Sequence, residues 1–136
     1  MADTIKRREE IDPRWQWKLT DIYPSLDAFE DDFAQIKEAV GRFAQYQGKA
    51  AEQPKNAIRD YFELSRRFVK LYSYAFLLHD TDNGDPALQA LHERTSTLAV
   101  HFSAATAFLR PELLTLSDET LQTLVMDESK IGRAHV

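Results

Sequence analysis

Cysteine is absent from the 136-residue sequence, and glycine and proline are scarce, with four and five residues. Without cysteine the chain can form neither a disulfide nor a thiolate metal site, which favours a reducing compartment and therefore the cytoplasm. The few glycines and prolines lie mostly between periodic apolar segments, as is typical of an all-α protein with few connections. The length fits one domain with a modest core.

An excess of positive charge and long apolar runs are missing as well. Seventeen basic residues against twenty-two acidic ones give a net charge of −5, which argues against a nucleic-acid partner. The most apolar stretch, residues 71–78, is interrupted by polar side chains, and a bilayer span needs roughly 20 apolar residues. Residues 1–15 lack the apolar segment of a secretory signal. We therefore expect no nucleic acid, no membrane and no export.

The sequence predicts two parts: an N-terminal strap, residues 1–24, and a helical domain, residues 25–129. Between Trp15 and Pro24 large side chains alternate with polar ones, and Pro24 disfavours helix at Tyr23. We expect this segment to be extended and to lie along the helices.

Apolar residues at helical spacing predict three long antiparallel helices and a short C-terminal helix. The expected bounds are Ser25 to near Gly48, beyond Pro54 to the turn at 80–84, Asp85 and Pro86 to Pro111, and Ser117 to Val125. The side chains expected to be buried between the long helices are Phe33, Ile36, Phe68, Leu71 and Leu98.

The second helix carries apolar residues on more than one side, since Phe62, Tyr72 and Phe76 lie off its main stripe. Val100 and Ala104 do the same on the third helix. We expect an exposed apolar patch and a chain that associates with other molecules. The alternative is that the strap covers this second face.

Histidines were the first candidates for chemistry. A zinc-hydrolase helix needs two histidines one turn apart with a glutamate beside the first. His92 and Glu93 begin this pattern, but Ser96 stands where the second histidine is required. The remaining histidines, which also lack a partner four residues on, are His79, His101 and His135. We therefore predict no catalytic and no metal-binding residue, and interpret His92 as a surface histidine.

An acidic turn resembles a calcium loop only superficially. It contains Asp80, Asp82, Asn83 and Asp85, but Gly84 falls at the fifth place of a calcium loop instead of the sixth. The twelfth place is Leu91, where a bidentate glutamate is needed. We interpret the segment as an interhelical turn.

Arg66, Arg67 and Lys70 form a basic cluster one helical turn deep. It would suit a phosphate or a peptide carboxylate. The favoured interpretation is a solvated face, because Glu63 and Asp60 lie one turn earlier and can pair with these cations.

The aromatic residues of the second helix suit either a ligand groove or the core, and helical spacing favours the core. They are Tyr61, Phe62, Phe68, Tyr72, Tyr74 and Phe76. No Ser-His-Asp arrangement, glycine-rich phosphate loop or nucleophilic cysteine can be assembled. The substrate-binding residues, if there are any, stay unknown at this level.

Three stretches resemble the N-terminal region of oligoendopeptidase F, a thimet-oligopeptidase-like zinc metallopeptidase family. They are WKLTDIYPS at 17–25 with FE at 29–30, KLYSYA at 70–75 with DT at 80–81 and QALHER at 89–94, and FLRPELL at 108–114 with LSDE at 116–119. The resemblance implies a cytosolic, all-helical enzyme that cleaves short peptides in an internal channel. Its zinc would be held by a His-Glu-x-x-His helix and a further glutamate, much later in the chain.

For this chain the resemblance implies a non-catalytic wall or lid of that channel. Its partner would be the missing catalytic domain of the same chain, with oligopeptides as substrates and zinc as cofactor of the full-length enzyme. The alternative is a free-standing helical module whose aromatic face binds another protein's helix. A His-Glu-x-x-His several hundred residues downstream would support the enzyme, and a stop codon after Val125 or Met126 would support the module.

The last six residues, 131–136, match nothing in that family. They can be back-translated as ATC GGA AGA GCA CAC GTC, which reads like a common sequencing adapter. We therefore expect the native part of this sequence to reach only to near Ser129, and residues 130–136 to be a non-native tail translated from the end of a short sequencing read.

Overall fold

The computed structural model describes residues 6–127, so the expected tail and His135 lie outside the described residues. Five α-helices follow one another: α1 (Leu26–Phe43), α2 (Pro54–Thr81), α3 (Pro86–Thr106), α4 (Leu109–Leu113) and α5 (Asp118–Met126). Within this range the chain forms no strand, and the all-α prediction is confirmed. None of these helices is long and apolar enough to cross a membrane.

Helix α2 runs antiparallel to both of its long neighbours. Near its start, the Tyr61 ring lies 6.2 Å from Phe43 at the end of α1 and 6.0 Å from Phe102 near the end of α3. Near its end, Tyr74 stacks on Phe29 at the start of α1, with the ring centroids 5.3 Å apart. The short turn at residues 82–85 returns the chain directly into α3.

Three helices begin at polar side chains that cap their first turn, at the residues where the sequence predicts these helices to start. The caps Ser25, Asp85 and Ser117 accept hydrogen bonds from backbone N–H groups two or three residues on, at 3.1, 2.7 and 3.2 Å. Each bond satisfies a donor that has no acceptor inside its helix.

The end of α1 agrees with its prediction, and the end of α3 does not. A single 3-10 turn, Ala44–Tyr46, extends α1 towards Gly48, whose φ of 78° is a conformation that favours glycine. The third helix ends at Thr106 and not at Pro111, which lies inside α4. Pro111 is the third residue of α4, where its missing N–H would have no intrahelical acceptor anyway, so it does not stop that helix.

The core lies between α1, α2 and α3. Ile36 and Leu71 are fully buried and Leu98 nearly so, as predicted. Phe33 and Phe68 pack against the core but are only partly buried, which corrects the prediction that they are buried. Both lie on the flanks of the core, where aromatic rings pack on one side and meet solvent on the other.

The N-terminal segment is extended, as predicted, but single 3-10 turns interrupt it at Arg8–Glu10, Pro13–Trp15 and Leu19–Asp21. Among residues 6–24, the end of the segment packs on the core, where Tyr23 is buried and Leu19 and Ile22 cover it. The indoles of Trp15 and Trp17 are 81% and 54% exposed. The strap therefore does not bury its tryptophans against the bundle.

Candidate functional site

Two of the histidine candidates, His79 and His92, lie close to the α2–α3 turn, whereas His101 is exposed near the other end of α3. His92 is half-buried, with its ring centroid 4.1 Å from Phe76 and 4.7 Å from His79. His79 Nε2 lies 2.7 Å from Gln89 Oε1. His92 thus packs on aromatic rings, which corrects its interpretation as a simple surface histidine.

These residues do not fit the zinc site of the family that the chain resembles. Ser96 occupies the position of the second imidazole, and a hydroxyl does not replace it. Across residues 6–127, no three histidine, aspartate or glutamate side chains come together in a way that could hold a metal ion.

The acidic turn uses its carboxylates for its own backbone. Asp82 Oδ1 accepts a hydrogen bond from Gly84 N–H at 3.0 Å, and Asp85 Oδ1 accepts one from Ala87 N–H at 2.7 Å. These oxygens therefore form a turn and a helix cap, in agreement with the interpretation as an interhelical turn.

Arg66 and Lys70 of the basic cluster on α2 are exposed, whereas Arg67 pairs across to α1 and not along its own helix. Arg67 Nη2 donates hydrogen bonds to Asp32 Oδ1 at 2.6 Å and to Gln35 Oε1 at 3.1 Å. The predicted pairing with Glu63 and Asp60 is wrong. Packing of α1 beside α2 brings a half-buried carboxylate opposite Arg67, and a partly desolvated carboxylate attracts a cation more strongly than an exposed one.

Asp32 also joins the N-terminal segment to the bundle. It accepts a hydrogen bond from the Tyr23 hydroxyl, and Lys70 Nζ lies 4.3 Å from the centre of the Tyr23 ring. Burial alone would raise the pKa of Asp32, but the hydrogen bonds from Tyr23 and Arg67 and the nearby positive charges hold the pKa below its ordinary value. Burial and the adjacent carboxylate raise the pKa of Tyr23. Two members of the basic cluster thus anchor the segment.

The aromatic residues of α2 form a row along the edge that α2 shares with α3. Neighbouring ring centroids are 4.0 to 6.0 Å apart. The aromatic row comprises Tyr61, Phe102, Phe68, Tyr72, Phe76 and His92. Of the six aromatic residues predicted as core, only Tyr74 is buried, and the prediction is wrong for Phe62, which is 42% exposed.

Beside the aromatic row lies an exposed apolar surface, which we call the outer face and define by Phe62, Val69 and Val100. Val69 and Val100 are 58% and 66% exposed. Because Phe68 on α2 stacks on Phe102 on α3, the two valines lie at about the same level of their helices. Exposed apolar side chains that share one surface are typical of an interaction site.

A groove of about 430 Å³ lies where the start of α2 meets α4 and α5. We call it the terminal groove. Its apolar lining consists of Ile58, Phe62, Leu109, Leu113, Leu114 and Leu121, and Arg110 is the one charged side chain among the described lining residues. Sequence reasoning missed this groove, although the spacing of Leu109 and Leu113 around Arg110 indicates one apolar side of α4.

Glu112 is a second feature that sequence reasoning missed. Its carboxylate accepts hydrogen bonds from the backbone N–H groups of Gly48 at 2.6 Å and Ala50 at 3.0 Å. The contact holds α4 against the connection between α1 and α2, across 62 to 64 residues of chain. No local pattern could show a pairing at that separation.

The described residues thus form a helical domain with apolar surfaces and no set of residues that fits zinc hydrolysis. The sequence is 29% identical over 133 residues to oligopeptidase PepF of Bacillus subtilis, which covers 96% of this chain. It is 25% identical over 123 residues to the group B oligopeptidase PepB of Streptococcus agalactiae, and 28% identical over 118 residues to the plasmid oligoendopeptidase F of Lactococcus lactis subsp. cremoris. These matches confirm the resemblance to oligoendopeptidase F.

The chain spans about 20% of the length of the curated relatives it matches. No protein-family model and no solved structure matches it. The matches therefore support one domain of an oligoendopeptidase, and they connect the chain with peptide hydrolysis through proteins about five times its length.

Proposed function

We propose that this chain is the N-terminal, non-catalytic domain of a cytoplasmic, zinc-dependent oligoendopeptidase and forms part of the wall or lid of its substrate channel. The observation that carries the proposal is the similarity over 96% of the chain to an oligopeptidase of which the chain spans 20%. Zinc and the residues that hydrolyse the peptide bond belong to the remainder of that enzyme, whose substrates are oligopeptides.

The domain comprises residues 25–129, with residues 1–24 as a strap and residues 130–136 as a non-native tail. The end of the strap is supported by the contacts of Tyr23 with Phe29 and Tyr74, whose ring centroids lie 5.7 and 5.1 Å away. The tail assignment rests on the sequence alone.

In this proposal the outer face packs on the catalytic domain of the same chain. Val69 and Val100 are more than half exposed, so burying them would add apolar contact at little conformational cost. A rigid bundle fixed there narrows the way into a channel and admits short peptides in preference to folded proteins. Substrates are then selected by size because the bundle occupies part of the entrance, and this selection requires no reactive group in the bundle.

The proposal is tested by obtaining the complete coding sequence and assaying the two forms side by side. We expect the full-length protein to carry a His-Glu-x-x-His motif and to cleave a short fluorogenic peptide in the presence of zinc. The 136-residue chain alone should show no cleavage and no specific zinc binding, because a catalytic site needs about three preorganised ligands. Zinc-dependent cleavage by the purified short chain, or a complete gene without the motif, would refute the proposal.

A free-standing helical interaction module is the second candidate. The exposure of Trp15 and Trp17 favours it, because tryptophan is enriched at the centre of protein interfaces. An in-frame stop codon after Val125 or Met126 in the native gene would establish this alternative.

A further inference from the structure

We propose that the terminal groove binds the C-terminal end of a short apolar peptide, and that Arg110 pairs with the peptide's terminal carboxylate. The inference rests on the proposed function, because peptides are the molecules that such an enzyme handles. It adds a ligand site and a residue with a defined role to a domain that carries no catalytic group.

The shape and lining of the groove suit an apolar side chain. Its volume of about 430 Å³ lies in the range typical of ligand sites, roughly 300–1,000 Å³. Leucines of α4 and α5 form one wall and Ile58 and Phe62 of α2 the other. Since Leu114 is 66% exposed, an apolar ligand would cover surface that now faces solvent, which is the main source of affinity in such sites.

The charge of the groove is supplied by Arg110. Its side chain is exposed, and it makes no hydrogen bond or ion pair with any other residue in 6–127. The adjacent carboxylate of Glu112 accepts the N–H groups of Gly48 and Ala50, so it is held away from Arg110 by bonds of its own. In contrast, Arg67 and Arg94 are each paired with a carboxylate of α1, at 2.6 and 2.5 Å.

A guanidinium that has no partner among residues 6–127 and lies beside an apolar groove is complementary to a carboxylate attached to an apolar group. The planar fork of arginine can donate two parallel hydrogen bonds to one carboxylate, which fixes the orientation of the ligand. A peptide terminus combines this carboxylate with an apolar side chain on the same carbon atom. The peptide also offers amide N–H groups as donors. The hydroxyl oxygen of Thr106, which lines the groove, can accept from one of them, because its own hydrogen is donated to the Phe102 carbonyl at 2.9 Å.

The test compares acetyl-Ala-Leu-Phe with a free carboxylate and the same peptide as its C-terminal amide, by calorimetric titration of the purified chain. We expect the free acid to bind roughly tenfold more tightly than the amide, because a charge-assisted bidentate pair is lost in the amide. Arg110→Gln should reduce the affinity for the acid to that for the amide. Leu114→Ser should weaken both peptides, because it removes apolar contact and leaves the charge.

The matched control is Arg66→Gln, which changes another exposed arginine of the bundle and should leave both affinities unchanged. Circular dichroism of each variant shows whether it remains folded, and Leu114 and Arg110 are exposed enough to be changed without loss of the fold. Equal affinity for acid and amide, no binding at millimolar peptide, or laurate binding more tightly than the peptide would overturn the inference. Such a result would leave the proposed function standing, since that depends on the downstream zinc motif.

Discussion

Helix α2 has two apolar sides that this bundle covers to very different extents. The side that faces α1 and α3 carries Leu64, Leu71 and Ala75, all buried, while Val69 and Phe62 on the outer face are 58% and 42% exposed. A helix at the surface of a small bundle usually needs one apolar stripe about 100° wide. Burial of the inner side accounts for the fold of this domain, which does not require the apolar residues of the outer face.

The apolar pattern of a helix and the burial of its side chains are therefore separate properties. Pattern is fixed by the sequence, whereas burial depends on which neighbours are present. Val69 and Val100 are apolar like the residues of the inner side but stay more than half exposed, which is why a docking partner of the same chain forms part of the proposed function.

The largest expected effect comes from shortening a side chain on the inner side. Leu71→Ala should lower the free energy of unfolding by about 2–5 kcal/mol, because Leu71 is fully buried and a cavity remains. Val69→Ala, two positions earlier on the outer face, should change it by less than about 0.5 kcal/mol. Urea titrations of both variants measure the difference. Similar losses in the two variants would show that the sides of α2 are equally covered.

A smaller effect is expected at the polar network that joins α1, α2 and the N-terminal segment. Asp32→Asn removes the charge that accepts from Tyr23 and Arg67, and should destabilise the chain by about 1–2 kcal/mol at neutral pH. The pKa of Asp32 is lowered in the fold, so its contribution is present above the ordinary value of 3.8 and is lost as the pH falls through the folded value.

The pH dependence supplies the check on that network. Urea midpoints measured from pH 7 down to pH 3 should fall more steeply for the natural chain than for Asp32→Asn. Asp31→Asn, at an exposed neighbouring position, serves as the control and should follow the natural chain. A parallel fall in all three proteins would mean that Asp32 does not titrate differently in the folded state.

The sequence predicted those features of the fold that depend on interactions between residues close together in the chain. The N-caps Ser25, Asp85 and Ser117 were predictable because each bonds within three residues of itself. Helix identity was predictable because the apolar period is a local property. The end of α3 was misplaced at Pro111, since proline in a first turn and proline that stops a helix look alike in sequence.

The surfaces were less predictable because they depend on contacts between distant residues. Arg67 has the carboxylate of Glu63 one turn earlier on its own helix, yet it pairs with Asp32, 35 residues away. The burial predicted for Phe68 is incomplete for the same reason, since periodicity places it towards α3 but does not show how much of the ring Phe102 covers. The terminal groove is formed where four helices meet, and its one local signal is the spacing of Leu109 and Leu113 on α4.

The contact of the Glu112 carboxylate with the N–H groups of Gly48 and Ala50 is one such long-range contact, and a substitution can test it. Glu112→Ala removes the acceptor of two backbone N–H groups and should cost about 1 kcal/mol, less than the loss at Leu71. The exposed Gly48 N–H can be rehydrated, so most of the cost comes from the N–H of Ala50, which is buried. Glu63→Ala, an exposed glutamate of α2, should be neutral. Hydrogen exchange at the Gly48 and Ala50 amides should become faster in Glu112→Ala only. Unchanged exchange would show that α4 does not hold this connection.

The smallest effect on stability is expected from charging the outer face. Val69→Lys combined with Val100→Glu should leave the free energy of unfolding within about 0.5 kcal/mol of the natural chain, because both side chains are more than half exposed. The same change should reduce self-association in light scattering at high protein concentration, since it breaks the apolar surface that molecules of the isolated domain would share. Ala34→Lys, on the exposed side of α1, adds charge elsewhere and should not reduce association. If the natural chain stays monomeric at all concentrations and behaves as the charged variant does, the outer face needs no partner, and the case for a covering catalytic domain is correspondingly weaker.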